Sequence, residues 1–182
     1  AAPLTDSLAW GGMKAARDGL LALYADAGDA AARNRMAYAA LVSGITLAQA
    51  GLGSVHGLAA PLGAFFPIPH GVACGTLVAT ATRINIEALR AREPAHPALE
   101  KYAQLGRLLS RQGKLERDAS HAALIDILET WTRELKLPPL AHYGVQHADI
   151  PRIVADSRGS SMKTNPLRLD DDEIAAILTA RI

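Results

Sequence analysis

Cysteine, aromatic residues and strong charge are all scarce in this sequence. Its 182 residues include a single cysteine, Cys74, which excludes an internal disulfide and any thiolate-rich metal site. Aromatics make up 4% of the chain while 49% is hydrophobic. The apolar content therefore rests on Ala, Leu, Ile and Val, the composition of closely packed helices rather than of an all-β fold. Nineteen Lys plus Arg stand against eighteen Asp plus Glu, a net charge of +1, with no basic block or stripe, which argues against nucleic acid as a partner. Between Arg35 and Arg83 there is no Asp, Glu, Lys or Arg. A membrane span needs about 20 predominantly apolar residues. This stretch is broken by Gln49, by Gly51, Gly53 and Gly57, and by Pro61, Pro67 and Pro69, so a buried central helix layer, not a membrane hairpin, is the expected arrangement. Residues 1 to 7 have neither the basic start nor the apolar stretch of a signal peptide. Ala1 without an initiator Met reads as a chain cut from something longer, and a cytoplasmic home is the simplest expectation.

What is present reads as helices within one compact unit, residues 1–182, since this length buries a sizeable core. A first helix is expected over Pro3 to Tyr24, with Thr5 or Asp6 as cap and Gly11 and Gly12 weakening its middle. A second, Asp29 to Gln49, is apolar on nearly every face, which marks a helix surrounded by others. Ser54 to Phe65 forms a short helix, Pro67-Ile68-Pro69 breaks the chain, and His70 to Ala88 forms a second buried helix. Leu99, Tyr102, Leu105, Leu108 and Leu109 share one helical face. Leu124, Ile127, Leu128, Trp131 and Leu135 share another, started by Asp118 or Ser120 and stopped by Pro138 and Pro139. A short helix over Asp149 to Val154, a loop over Ser157 to Pro166, and a last helix after Asp170, Asp171 and Asp172 complete an all-α bundle of seven to nine elements. No alternating strand pattern and no internal repeat appear.

The chemistry-bearing candidates are His56 and His70, fourteen residues apart. On one straight helix that spacing is about 21 Å, too far for two ligands that must each approach a metal to about 2 Å. Pro67 and Pro69 change the geometry, because they end the first helix and let the chain reverse, so that His70 can return beside His56. Two imidazoles alone bind a divalent ion incompletely. Sites for Fe²⁺ or Zn²⁺ usually take at least three protein ligands, and there is no Asp or Glu from Ala30 to Ile86. Spacing leaves both readings open: two ligands, or two separate hydrogen-bonded histidines.

The surrounding text bears on that choice. Ala50-Gly-Leu-Gly-Ser-Val-His56 through Pro61-Leu-Gly, followed by Pro69-His70-Gly71, resembles the A-G-L-G-x-x-H-x-x-x-x-P-L-G and P-H-G segments of iron-containing alcohol dehydrogenases. Pro3-Leu4-Thr5-Asp6 with Leu8-Ala9 resembles that family's N-P-L-T-D-A-L-A, and Thr164-Asn165-Pro166 its late T-N-P. The resemblance covers essentially the whole chain and implies the helical second domain of such an enzyme, multi-helical and all-α. In the family this domain packs against an α/β domain that binds NAD or NADP, with the metal, Fe(II) or Zn(II), between them. His56 and His70 match two of the ligands. The other two, an Asp and usually a His, belong upstream of the N-P-L-T-D segment and outside these residues. Many members carry a further His four positions after the first of the late pair; here that position is Ala60, so no proton route is carried over. The implied chemistry is oxidoreduction of a small alcohol or aldehyde, with the isolated chain inactive and a homo-oligomer possible.

Other candidates are weaker. Cys74 lies in an apolar segment without Lys or Arg beside it and reads as core packing rather than a nucleophile. His96, His121, His142 and His147 read as solvated residues of loops and helix starts. Gly51 and Gly53 form a G-x-G without a preceding strand and do not read as a phosphate loop. Phe65 and Phe66 line a substrate pocket or simply the core. Two alternatives to a dehydrogenase domain are a stand-alone helical interaction or metal-binding protein, and a zinc-dependent lyase of the dehydroquinate synthase type, which the P-L-G and P-H-G segments fit less well.

Overall fold

A computed structural model describes residues 2–182; Ala1 lies outside the described residues. Nine α-helices and two short 3₁₀ turns follow one another, with no strand among the described residues. They pack as two compact units, the first running to Gly51 and the second spanning Leu52–Ile182. No single described helix is long and apolar enough to cross a membrane.

The first unit is a helical hairpin. Helix α1 (Pro3–Ala25) starts with Pro at its first position, where the missing N–H costs nothing. Its cap residue is Ala2, without a side-chain bond, so neither Thr5 nor Asp6 is the cap; both lie within the first turn. A short turn leads to α2 (Ala30–Ala50), where Asp29 accepts hydrogen bonds from the amides of Ala31 and Ala32. Gly12 is the point of closest approach: a Cβ there would stand 2.5 Å from Val42 Cγ2. The glycine that weakens α1 on propensity is thus required by its packing on α2.

Helix α2 is not surrounded. Only Ala32 and Val42 are buried on it, and Tyr38, Leu41, Ile45 and Leu47 are exposed. Apolar residues on every face record composition, not what covers them, and α2 packs chiefly on α1.

The second unit is built around α4 (His70–Arg92), against which α3 (Ser54–Phe65), α5 (Pro97–Ser110), α6 (Arg117–Glu134) and α9 (Asp171–Thr179) all pack. Helix α4 buries Ala73, Leu77, Ala81, Ile86 and Leu89 among others, and Leu58 and Leu62 of α3 are fully buried beside it. Each such leucine contributes about 1.5–3 kcal/mol relative to an exposed one, which fixes α3 against α4. Helix α6 begins at Arg117 with Glu116 as cap residue, one turn before the expected Ser120 and just ahead of Asp118. The Ser120 hydroxyl instead donates back to the Glu116 and Leu115 carbonyls. Helix α6 ends at Glu134, before the two prolines. Two 3₁₀ turns, Leu140–Tyr143 and His147–Asp149, lead into α7 (Ile150–Asp156). The segment expected to be a loop contains α8 (Ser160–Lys163), a single turn anchored by the buried Met162. Helix α9 opens on a capping box formed by Asp170 and Glu173.

Candidate metal centre

Helix α3 ends at Phe65, and Pro67 and Pro69 carry the chain to α4, whose first residue is His70 with Pro69 as its cap residue. Proline at these positions removes N–H groups that a continuing helix would need and fixes φ for a turn. The chain reverses, and the His56 and His70 rings come to lie 5.4 Å apart between centroids, tilted by 51°. The two residues flagged by spacing are therefore neighbours, each in the first turn of its own helix.

The N-terminus of α3 is held from a distance in sequence. Gly51 closes α2 at φ 71° and ψ −163°, a region that glycine alone occupies without strain. Leu52 follows, its amide donating to Thr164 Oγ1 while the Thr164 hydroxyl lies within hydrogen-bond distance of the Leu52 carbonyl. The Ser54 amide donates to Asn165 Oδ1 at 3.0 Å, an acceptor for one of the orphan donors that open every helix. Asn165 Nδ2 donates in turn to Asn85 Oδ1 and to the Leu167 carbonyl, and Asn85 Nδ2 donates to Ser54 Oγ and the Ala81 carbonyl. A Cβ on Gly53 would meet Asn165 Oδ1 at 3.0 Å, so the glycine admits the amide. Thr164-Asn165 is thus a clamp two residues ahead of His56. The motif was legible as text, but its role was not, because its partners lie 80 residues or more away.

Cys74 completes the arrangement. It lies one turn after His70 on α4, with Sγ 3.5 Å from His70 Nε2. Among the described residues, His56, His70 and Cys74 form a group whose potential ligand atoms all lie within 4.8 Å of one another. No carboxylate joins them. Sequence reasoning placed Cys74 in the core, and it does contact core residues, but it is only partly buried. The available signal was the i, i+4 spacing of His70 and Cys74, which puts both side chains on one helix face.

Burial holds His56 below the ordinary imidazole value, and the neighbouring His70 adds to that lowering. The neutral ring, with a free lone pair, is the form a metal needs. Burial pushes the Cys74 thiol up. Phe65 and Phe66 are partly buried against the core, and the Arg152 guanidinium stacks over the Phe65 ring at 3.6 Å. Clefts lined by Arg158, Arg168 and Asp171 near the start of α9 include neither histidine.

Of the other histidines, His121 departs from expectation. It is 1% exposed, within α6, with Nε2 2.7 Å from the Leu99 carbonyl and Nδ1 2.8 Å from Arg90 Nη2. It is a structural link between α6, α5 and α4. His96 is the cap residue of α5, its Nδ1 accepting from the Ala98 amide.

The 182 residues resemble longer proteins over their full span. Alcohol dehydrogenase 4 of Saccharomyces cerevisiae is 28% identical over 178 residues, covering 97% of this chain and 44% of that protein. The 1,3-propanediol dehydrogenase of Klebsiella pneumoniae is 31% identical over 179 residues, covering 96% and 44%. A crystal structure of 1,3-propanediol oxidoreductase superposes with a TM-score of 0.89 at 28% identity, over 100% of this chain and 46% of that one. The chain thus spans less than half the length of these relatives. The profile of the Fe-containing alcohol dehydrogenase family, C-terminal, matches residues 1–182, and the chain belongs to that family.

Proposed function

We propose that this chain is the metal-holding half of an NAD(P)-dependent alcohol dehydrogenase, with His56 and His70 as two ligands of a divalent ion, Fe(II) or Zn(II), that acts on a small alcohol or aldehyde. The observation that carries the reading is the apposition of the two rings at 5.4 Å across a proline-directed reversal. The donor set fits a divalent ion in part: two imidazoles stand side by side, and burial lowers the pKa of His56, which favours its metal-binding form, while the remaining ligands come from outside these residues. When bound, such an ion supplies Lewis-acid polarisation of an alcohol or aldehyde oxygen.

The chain's own residues do the positioning. The Thr164-Asn165 clamp and Asn85 fix the first turn of α3 and with it His56. Pro69 fixes the entry to α4 and with it His70. Phe65, held under Arg152, and Phe66 are partly buried against the core in the reversal that joins the two helices. His70 is exposed, which leaves room for ligands and cofactor from a nucleotide-binding domain. NAD or NADP binds to that domain in this reading, because no strand, and so no parallel sheet, occurs among the described residues. These residues by themselves are then inactive in alcohol oxidation. The names of the relatives, alcohol dehydrogenase and 1,3-propanediol dehydrogenase, support a small alcohol as substrate. A cytoplasmic location and assembly as a homo-oligomer belong to the same proposal.

Metal analysis of the purified chain after incubation with Fe(II) or Zn(II) tests the reading. Uptake near one ion per chain that falls to background in both His56→Ala and His70→Ala supports it. Equal uptake by wild type and both variants refutes it, as does NAD-dependent alcohol oxidation by the 182 residues alone at a rate normal for an enzyme.

A further inference from the structure

We infer that Cys74 is a third donor of this centre, so that the chain holds an N₂S set that favours zinc over iron. The inference rests on the reading of His56 and His70 as ligands and adds a residue to it. Its basis is distance. A tetrahedral zinc site with Zn–N of about 2.05 Å and Zn–S of about 2.3 Å places nitrogen and sulfur about 3.6 Å apart. Cys74 Sγ and His70 Nε2 stand 3.5 Å apart already. His56 comes from the other helix, and all three donors fall within 4.8 Å of one another.

The helix supplies the pre-organisation. His70 and Cys74 at i and i+4 project from adjacent turns of one face, the spacing by which helical metal sites present two ligands to one ion. The sulfur changes the selectivity. A thiolate is a soft donor that raises preference for zinc, whereas an all-nitrogen and carboxylate set suits Fe(II). Coordination breaks the S–H bond of Cys74, forms the metal–sulfur bond and releases one proton to solvent, with no change of oxidation state. Three donors from this chain leave the ion's remaining positions to ligands from outside these residues and to substrate.

Cys74 is the single cysteine of the chain, so a thiol reagent reads it without ambiguity. Cobalt(II) serves as the spectroscopic probe, zinc as the competing ion, and the protein is the 182-residue chain with Cys74→Ser and His56→Ala, each checked for helix content. The expected result is a near-ultraviolet thiolate-to-cobalt charge-transfer band in wild type that is lost in Cys74→Ser. Zinc affinity should fall about tenfold or more in that variant, and zinc should protect wild-type Cys74 from alkylation but not Cys74 of His56→Ala. Cobalt ligand-field bands without the charge-transfer band, with alkylation equally fast in the presence of zinc, overturn the role of Cys74 and leave the histidine pair standing. No binding of cobalt or zinc by wild type overturns both. Zinc protection of wild-type Cys74 is read without Cys74→Ser, so a Cys74→Ser chain that fails to fold does not spare the inference.

Discussion

Asn165→Ala removes the centre of the clamp that holds α3, and its cost can be worked from the bonds it breaks. The wild-type side chain accepts from the Ser54 amide and donates to Asn85 Oδ1 and to the Leu167 carbonyl. Asn85 is 3% exposed and Ser54 2%, so water does not reach the groups left behind. No described buried side-chain polar atom lacks a partner in the wild type, whereas the variant orphans Asn85 Oδ1. An unsatisfied buried acceptor costs about 1–3 kcal/mol. Loss of the acceptor for a first-turn amide adds about 1 kcal/mol. The expected destabilisation is therefore about 3 kcal/mol, a large share of the roughly 5–15 kcal/mol that holds a domain together.

Urea denaturation followed by far-ultraviolet circular dichroism reads this directly, with an unchanged slope expected if only stability has shifted. Thr164→Val is the companion. It removes bonds to Leu52, but Thr164 is exposed and water substitutes, so a loss below about 1 kcal/mol is expected. A second readout ties the clamp to the centre: because Ser54 lies two residues before His56, Asn165→Ala should weaken metal uptake even where it remains folded. If Asn165→Ala costs less than about 1 kcal/mol, or no more than Thr164→Val, burial does not decide the strength of these bonds and the reasoning fails.

Two further tests address packing and protonation. A Cβ on Gly106 would stand 1.9 Å from the Ser120 backbone oxygen, far inside the 3.0 Å floor of real contacts; Gly106→Ala must push α5 off α6 and should cost about 3 kcal/mol or more despite better helix propensity, while exposed Gly63→Ala, with nothing within 4 Å, should gain up to about 1 kcal/mol in the same denaturation assay. Desolvation, with Arg90 adding to it, holds His121 below its ordinary 6.5; the unfolded chain then binds the extra proton first, so stability should fall as pH drops below about 6.5 and level off below the folded value, and His121→Gln should flatten that part of the pH–stability curve.

The parts of the fold that were legible in the sequence are those with local causes. Proline at 67 and 69 ends one helix and permits a reversal whatever surrounds it, so the end of α3 and the start of α4 were legible, whereas spacing alone left open whether His56 and His70 meet. The illegible parts depend on partners far along the chain. His121 looks like a surface residue until Leu99 and Arg90, 22 and 31 residues away, are brought against it. Helix α2 looks like a buried helix because apolarity does not say what will cover it, yet Leu41, Ile45 and Leu47 are exposed. Cys74 reads as core because no charge stands beside it in sequence, yet its sulfur lies against a histidine one turn earlier.

The segments of the resemblance that border α3 and α4 have one mechanical meaning. G-L-G supplies a chain path that admits Asn165; Thr164-Asn165 anchors the loop and the first amide of α3; Pro69-His70 begins α4 at the point where its ring meets His56. Neither Asn165 nor Asn85 reaches the donor atoms, yet both set where one donor stands, because a helix transmits the position of its first residue to its third with little give. His56 is that third residue of α3. The first turn of a helix also disfavours a cationic side chain, so the same anchoring that positions the ring keeps it in surroundings suited to the neutral form. A ligand pair built this way depends on hydrogen bonds up to 112 residues apart in sequence; a variant that loosens Thr164-Asn165 should therefore lose metal before it loses helix.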